Sequence, residues 1–198
     1  MGETRQIDRS KSRIWAVISI VFGAVVLDQI IKLLIARNFA VGESHPITSW
    51  FWLCYVENNG MAFGIEWFSK IVLTLARLLM VGLLCWYIHT LIRKPETPDG
   101  YIACIAFIIA GALGNIIDCV CYGKLFGYAG WLYGRVIDMF YFPLIHNSAG
   151  EVLFFRPVFN FADSCITCSV IVILLFYMKQ LNTDDRQKTA SLKDERQE

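Results

Sequence analysis

Hydrophobic and polar positions fall along this chain in long blocks. Four blocks are almost wholly apolar: 14–36, 71–90, 101–122 and 161–179. A helix rises about 1.5 Å per residue and needs roughly 20 apolar residues to cross the hydrocarbon core, so each block predicts one transmembrane helix. The first block is not expected to be a removable signal peptide. It is longer than an h-region, it carries Asp28 and Lys32, and no small-residue cleavage site follows it. Between the first two blocks, "ITSWFWLCYVENNGMAFGI" is rich in aromatic and β-branched residues around Asn58-Asn59-Gly60, which predicts strand, turn, strand. From residue 182 the chain is polar and charge-mixed, the composition of a disordered tail. Residues 1–181 then form a single membrane-embedded domain, with 182–198 outside it.

The basic residues orient these helices. Arg5, Arg9, Lys11 and Arg13 precede the first block, Arg93 and Lys94 separate the second from the third, and Lys179, Arg186, Lys188, Lys193 and Arg196 follow the fourth. None lies between Arg37 and Lys70. The positive-inside rule therefore places both termini in the cytoplasm and turns 37–70 and 123–160 outward. Trp50, Trp52, Trp67 and Phe68 suit the interfacial belt. The expected fold class is a mainly α membrane protein: a four-transmembrane-helix bundle with a small extracytoplasmic β cradle. Composition agrees, with 56% hydrophobic residues, and a net charge of +1 gives no reason to expect a nucleic-acid partner. The seven cysteines are dispersed, mostly in apolar runs, and read as packing residues. Cys165 and Cys168 have CxxC spacing but no further Cys or His beside them, so no metal is expected, nor any other cofactor.

Depth concentrates the polar groups. With that orientation Asp28, Lys32, Arg77, Asn115, Asp118, Asn160 and Asp163 all fall in the outer layer of the membrane. Asp28 and Lys32 are four residues apart, and Asn115–Asp118 and Asn160–Asp163 are three apart, so each pair shares a helix face. A charge at such depth costs several kcal/mol (roughly 3 on insertion scales) unless paired or wetted, so these groups are expected to converge. A purely structural knot would pair Asp28 with Lys32 and Arg77 with Asp118. It would leave Asp163 unexplained, and likewise Asp138, which lies among Val136, Ile137, Met139 and Phe140. Two such carboxylates, close together, cannot both ionise and would share a proton, a form suited to activating water. A Ser164–Lys32 dyad is a weaker candidate. His45, His89 and His146 are scattered without metal-ligand spacing. A transporter component would place its polar residues nearer the midplane with repeat symmetry. A non-catalytic small membrane assembly protein is the other alternative.

Five blocks in order resemble lipoprotein signal peptidase (signal peptidase II), a bacterial family of intramembrane aspartic proteases: "DQIIK" from Asp28, "NNGMAF" from Asn58, "AGALGNIID" from Ala110, "VIDMF" from Val136 and "FNFAD" from Phe159. The resemblance implies that Asp138 and Asp163 are the catalytic dyad, that Asn58, Gly60, Asn115, Asn160 and Ala162 line the site and hold substrate backbone, and that Asp28, Lys32 and Asp118 support it. It further implies cleavage of prolipoproteins N-terminal to a diacylglyceryl-modified cysteine, at the outer leaflet of the bacterial cytoplasmic (inner) membrane. The enzyme would act as a monomer among membrane lipid, open to globomycin-type inhibitors. Two features depart from the family pattern. Cys119 stands where an arginine follows the third-block aspartate, leaving Arg77 or Arg135 to serve in its place. The link between the dyad aspartates is also longer than the family leads one to expect.

Overall fold

The computed structural model describes residues 2–59, 70–146, 152–154 and 157–180. It is mainly helical, with a small antiparallel sheet at one end. Helix α1 spans Gly2–Asn38, α2 Lys70–Arg93, α3 Asp99–Ile117, and α5 Phe161–Phe176. Helix α3 continues through a π-helical turn, Asp118–Tyr122, into the short α4, Gly123–Leu125. Three helical stretches are long and apolar enough to cross a membrane: Gln6–Asn38, Lys70–Arg93 and Asp99–Leu125. Their outward surfaces are apolar too, with Phe22, Leu79 and Trp86 each more than 60% exposed, which suits lipid and not water.

Two helices differ in length from the apolar blocks. Helix α1 begins well before residue 14 because Arg9 and Arg13 tie its polar first turns to the α2–α3 link. Helix α5 stops at Phe176, short of residue 179. Tyr177 leaves helical geometry at φ −122° and packs its ring 5.7 Å from that of Tyr101. At 16 residues α5 is about 24 Å long, a little less than the hydrocarbon thickness.

Helix α3 is the axis of the bundle and packs against α1, α2 and α5. Its buried stripe runs Tyr101, Ile102, Ile105, Ala106, Ile109, Ala110, Gly111 and Gly114. The last three are small because the neighbours come close. A Cβ on Gly111 would strike the carbonyl of Ala162 in α5, and one on Gly114 would lie 2.6 Å from Asp28 Oδ2 in α1.

The sheet orders β1 (Ser44–Pro46), β2 (Trp52–Asn58) and β3 (Val136–Tyr141) antiparallel, with a register shift between Leu53 and Val56. The strand predicted before Asn58 is present, with Asn58 as its last paired residue, and its partners are β1 and β3. The predicted return strand after Asn59 lies outside the described residues, as do Gly60 and the tail from 182. The longer link after β3 holds a second strand pair, β4 (Ile145–His146) with β5 (Val152–Phe154). Beneath β3, Ile137 and Met139 pack with Ile35, Tyr55 and Tyr122.

Candidate active site

Local structure explains each polar group in turn. Asp138 is paired with Val56 and Val136 with Asn58, so Asn58 and Asp138 are diagonal neighbours on one face of the sheet. Asn58 Nδ2 donates to Asp138 Oδ2 at 3.1 Å. Phe159 then bridges to Phe140 through the main chain (3.0 and 2.7 Å), which lays the start of α5 along β3. Asn160 follows immediately as the N-cap of α5. Its side chain accepts from the Asp163 N–H (2.9 Å) while Asp163 Oδ2 accepts from the Asn160 N–H (3.3 Å), a reciprocal capping box. The signal was legible as N-x-x-D ahead of an apolar run, yet sequence reading took both residues for chemistry alone and missed the cap.

Asn160 joins the two carboxylates. Its Nδ2 donates to Asp138 Oδ1 at 2.7 Å and to Asn115 Oδ1 at 3.0 Å, and Asn115 Nδ2 donates to Asp163 Oδ1 at 2.9 Å. Each carboxylate therefore accepts two N–H donors, and the aspartates are linked through Asn160, whose side-chain amide reaches Asp138 and whose backbone N–H reaches Asp163. Asp138 is only 3% exposed. Burial pushes its carboxyl up, and the nearby charge of Asp163 adds to this, to about 7; the amides of Asn58 and Asn160 and the charge of Lys32 act in the opposite direction.

Beneath the pair lies a buried ionic knot. Lys32 Nζ reaches Asp28 Oδ2 (2.8 Å), Asp118 Oδ2 (2.6 Å) and Asn115 Oδ1 (3.0 Å). Asp28 Oδ1 accepts from the Ala162 N–H at 3.0 Å, which fixes α5 against α1. Asp118 Oδ2 also accepts from the Ile137 N–H at 3.4 Å, which ties the catalytic-candidate strand to α3. Gln29 and Tyr122 complete the network and were not foreseen: Gln29 Nε2 donates to Asp28, Asp118 and the Gly114 carbonyl, and Tyr122 donates to Gln29 Oε1.

The expected Asp28–Lys32 pair is present. The expected Arg77–Asp118 pair is corrected, because Lys32 rises from the facing helix and takes Asp118 itself. Arg77 Nη1 instead donates to Cys119 Sγ at 3.1 Å, at the position where the resembling family has its arginine. Arg135 pairs with Glu57 at 2.6 Å on the other side of the sheet. Ser164 and Lys32 are not brought together as a dyad: the serine hydroxyl donates to the Asn160 carbonyl at 3.0 Å, and the three ammonium donors are engaged. Ala162 is buried, with its side chain against Gly114. Among the described residues no cluster could hold a metal ion.

A bundle of apolar helices bearing two linked aspartates at one end defines a class, that of membrane proteins with paired carboxylates. Comparisons narrow it. The family signal peptidase (SPase) II matches residues 20–179. The lipoprotein signal peptidase of Porphyromonas gingivalis is 40% identical over 182 residues, 80% of each chain, and that of Amoebophilus asiaticus is 33% identical over 183 residues, 82% of this chain and 78% of the relative. A structure described as a bacterial membrane enzyme, solved by the in meso method at 2.3 Å, superposes with a TM-score of 0.64 at 26% identity, over 86% of this chain and 92% of the other. The chain belongs to the signal peptidase II family. It is therefore a peptidase, and its several apolar helices make it a multi-pass membrane protein.

Proposed function

We propose that the chain removes signal peptides from prolipoproteins, cutting on the N-terminal side of a diacylglyceryl-modified cysteine, with Asp138 and Asp163 as its catalytic dyad. The observation that carries this reading is Asn160, whose side-chain Nδ2 holds the Asp138 carboxylate and whose backbone N–H holds that of Asp163, at the end of the bundle where the sheet meets α5. The pair shares one proton. One aspartate takes a proton from water as the water oxygen attacks the scissile carbonyl carbon. The other donates a proton to the substrate, and collapse of the tetrahedral intermediate breaks the C–N bond and releases the amine. The titration belongs to the pair, so the proton is not assigned to one side. Asn58, Asn115 and Asn160 fix the carboxylates and offer polar contacts to substrate backbone. Gly60 and Ala162 belong to that lining on family resemblance alone, and Asp28, Lys32 and Asp118 support it from below.

In this reading α5 is the fourth span, so that residues 1–181 form one domain and 182–198 a polar tail. Both termini are cytoplasmic, because basic residues gather at the end away from the aspartates. The dyad then faces the outer leaflet of the cytoplasmic (inner) membrane. The enzyme acts as a monomer on lipid-anchored substrates, and globomycin-type inhibitors occupy the same site. The test uses the purified chain in detergent with a prolipoprotein carrying the diacylglyceryl group and the same prolipoprotein without it. Mass spectrometry should find a cut immediately before the modified cysteine and none in the unmodified protein. Cleavage elsewhere, or no preference for the lipid, contradicts the reading.

A further inference from the structure

The end of the bundle away from the aspartates carries a second polar assembly. Arg13 of α1 is buried there and holds the α2–α3 link. Its Nε donates to Asp99 Oδ1 (2.7 Å), and its Nη groups donate to the carbonyls of Ile92 (3.3 Å), Lys94 (2.9 Å) and Thr97 (2.5 Å). Arg9 Nη1 donates to the Pro95 carbonyl at 3.0 Å and its other terminal nitrogen lies 3.5 Å from Asp99. These contacts account for Arg13. They do not account for the cavity of about 290 Å³ that opens beside it, lined by Gln6, Arg9, Ser10, Arg13, Arg93 and Pro95 among others.

Charge there is unbalanced. Among the described residues, three guanidinium groups line the cavity and no carboxylate does. Asp99 sits behind Arg13 and is two-thirds exposed. Arg93 is exposed and has no hydrogen-bond or ion-pair partner among the described residues. Gln6 and Ser10 add neutral donors. Such a pocket takes a compact anion with several acceptor oxygens, which is the chemistry of a phosphate.

Position selects the source of that phosphate. The cavity lies where the apolar surfaces of α1 and α2 begin: Ile14, Trp15 and Ile18 follow Arg13 directly, and Trp86 and Leu83 stand two to three turns before Arg93, all of them exposed. That is the level of the lipid headgroups, where the phosphates of a bilayer are held at high local concentration next to basic pockets between helices. We propose that this cavity binds the phosphate of an anionic phospholipid in the leaflet opposite the aspartates, with Arg93 and Arg9 as its principal charged contacts. The inference rests on the membrane-spanning reading and not on the dyad, so failure of either leaves the other standing.

The test uses the full chain, delipidated in a neutral detergent, with native mass spectrometry and thermal transitions read on adding phosphatidylglycerol, phosphatidylcholine or inorganic phosphate. Phosphatidylglycerol should be retained and should raise the transition, and its affinity should fall with added salt. Arg93→Gln should weaken that binding by about five-fold, and Arg9→Gln/Arg93→Gln by more, since each basic residue near a lipid surface is worth about that factor. Arg93→Gln breaks no hydrogen bond or ion pair with a described residue, so it reports on binding without loss of the fold. Equal retention of both lipids, or undiminished binding of phosphatidylglycerol by both variants, overturns the proposal. So does a full shift from inorganic phosphate with nothing further from the lipid, which would assign the cavity to a free anion.

Discussion

Asn160 uses every polar atom it has within the site. Its backbone N–H and side-chain oxygen close the cap with Asp163, and its Nδ2 reaches Asp138 and Asn115. Cap and chemistry can therefore be separated by substitution. Asn160→Asp keeps a good N-cap but places a third carboxylate against the other two. Activity is expected to fall at least a hundred-fold, a few kcal/mol of lost transition-state stabilisation, while the cap of α5 is kept. Asn160→Ala loses the cap as well, at a further cost of about 1 kcal/mol in denaturant unfolding. Lys32, fully buried, is the one cation shared by Asp28, Asp118 and Asn115. Lys32→Met strands two buried carboxylates and should cost about 3–5 kcal/mol of stability, part of it regained in Lys32→Met/Asp118→Asn. Its charge also lowers the proton affinity of Asp138. Removing it should move the alkaline limb of the kcat/KM profile to higher pH, whereas a purely structural lysine would leave that limb in place.

At the scale of elements, the close approach of α3 to α1 and α5 sets where the aspartates can meet. Gly114→Val would push a branched side chain into Asp28 Oδ2 and the Cβ of Ala162. The variant is expected to lose more than about 3 kcal/mol of stability and to fail in detergent extraction, in line with overpacking against a buried network. Helices α1, α2 and α3 were legible because block hydrophobicity is a local property, and only their ends moved. The convergence of the polar layer was legible for the same reason: charged residues in apolar blocks must find partners. What local pattern could not give was pairing. Asn58 read as a turn residue because its strand partner, Val136, lies far along the chain. Arg77 read as the partner of Asp118 because depth alone cannot say which helix faces which. The N-x-x-D cap was local and available, but its residues already had a chemical explanation.

The whole molecule carries the dyad at a cost that depends on pH. Asp138 binds its proton more tightly folded than unfolded, with a carboxyl pushed to about 7 against an ordinary value near 4. As pH rises through that interval the unfolded chain releases the proton first, so native stability falls and then levels off above about 7. The sum is of the order of a few kcal/mol, about 4 at most. Thermal transitions of wild type should decline from pH 5 to pH 8, and those of Asp138→Asn should decline less; parallel curves would mean that Asp138 is not the strained group. The central claim is that the two aspartates do the cutting. It is tested most directly by turnover of a diacylglyceryl-modified prolipoprotein by wild type, Asp138→Asn and Asp163→Asn, each with its thermal transition measured in the same detergent. Both variants are expected to stay folded and to lose at least about a thousand-fold in kcat. A folded variant of either kind that cleaves within about ten-fold of wild type, a deficit of only about 1.4 kcal/mol, would contradict the assignment.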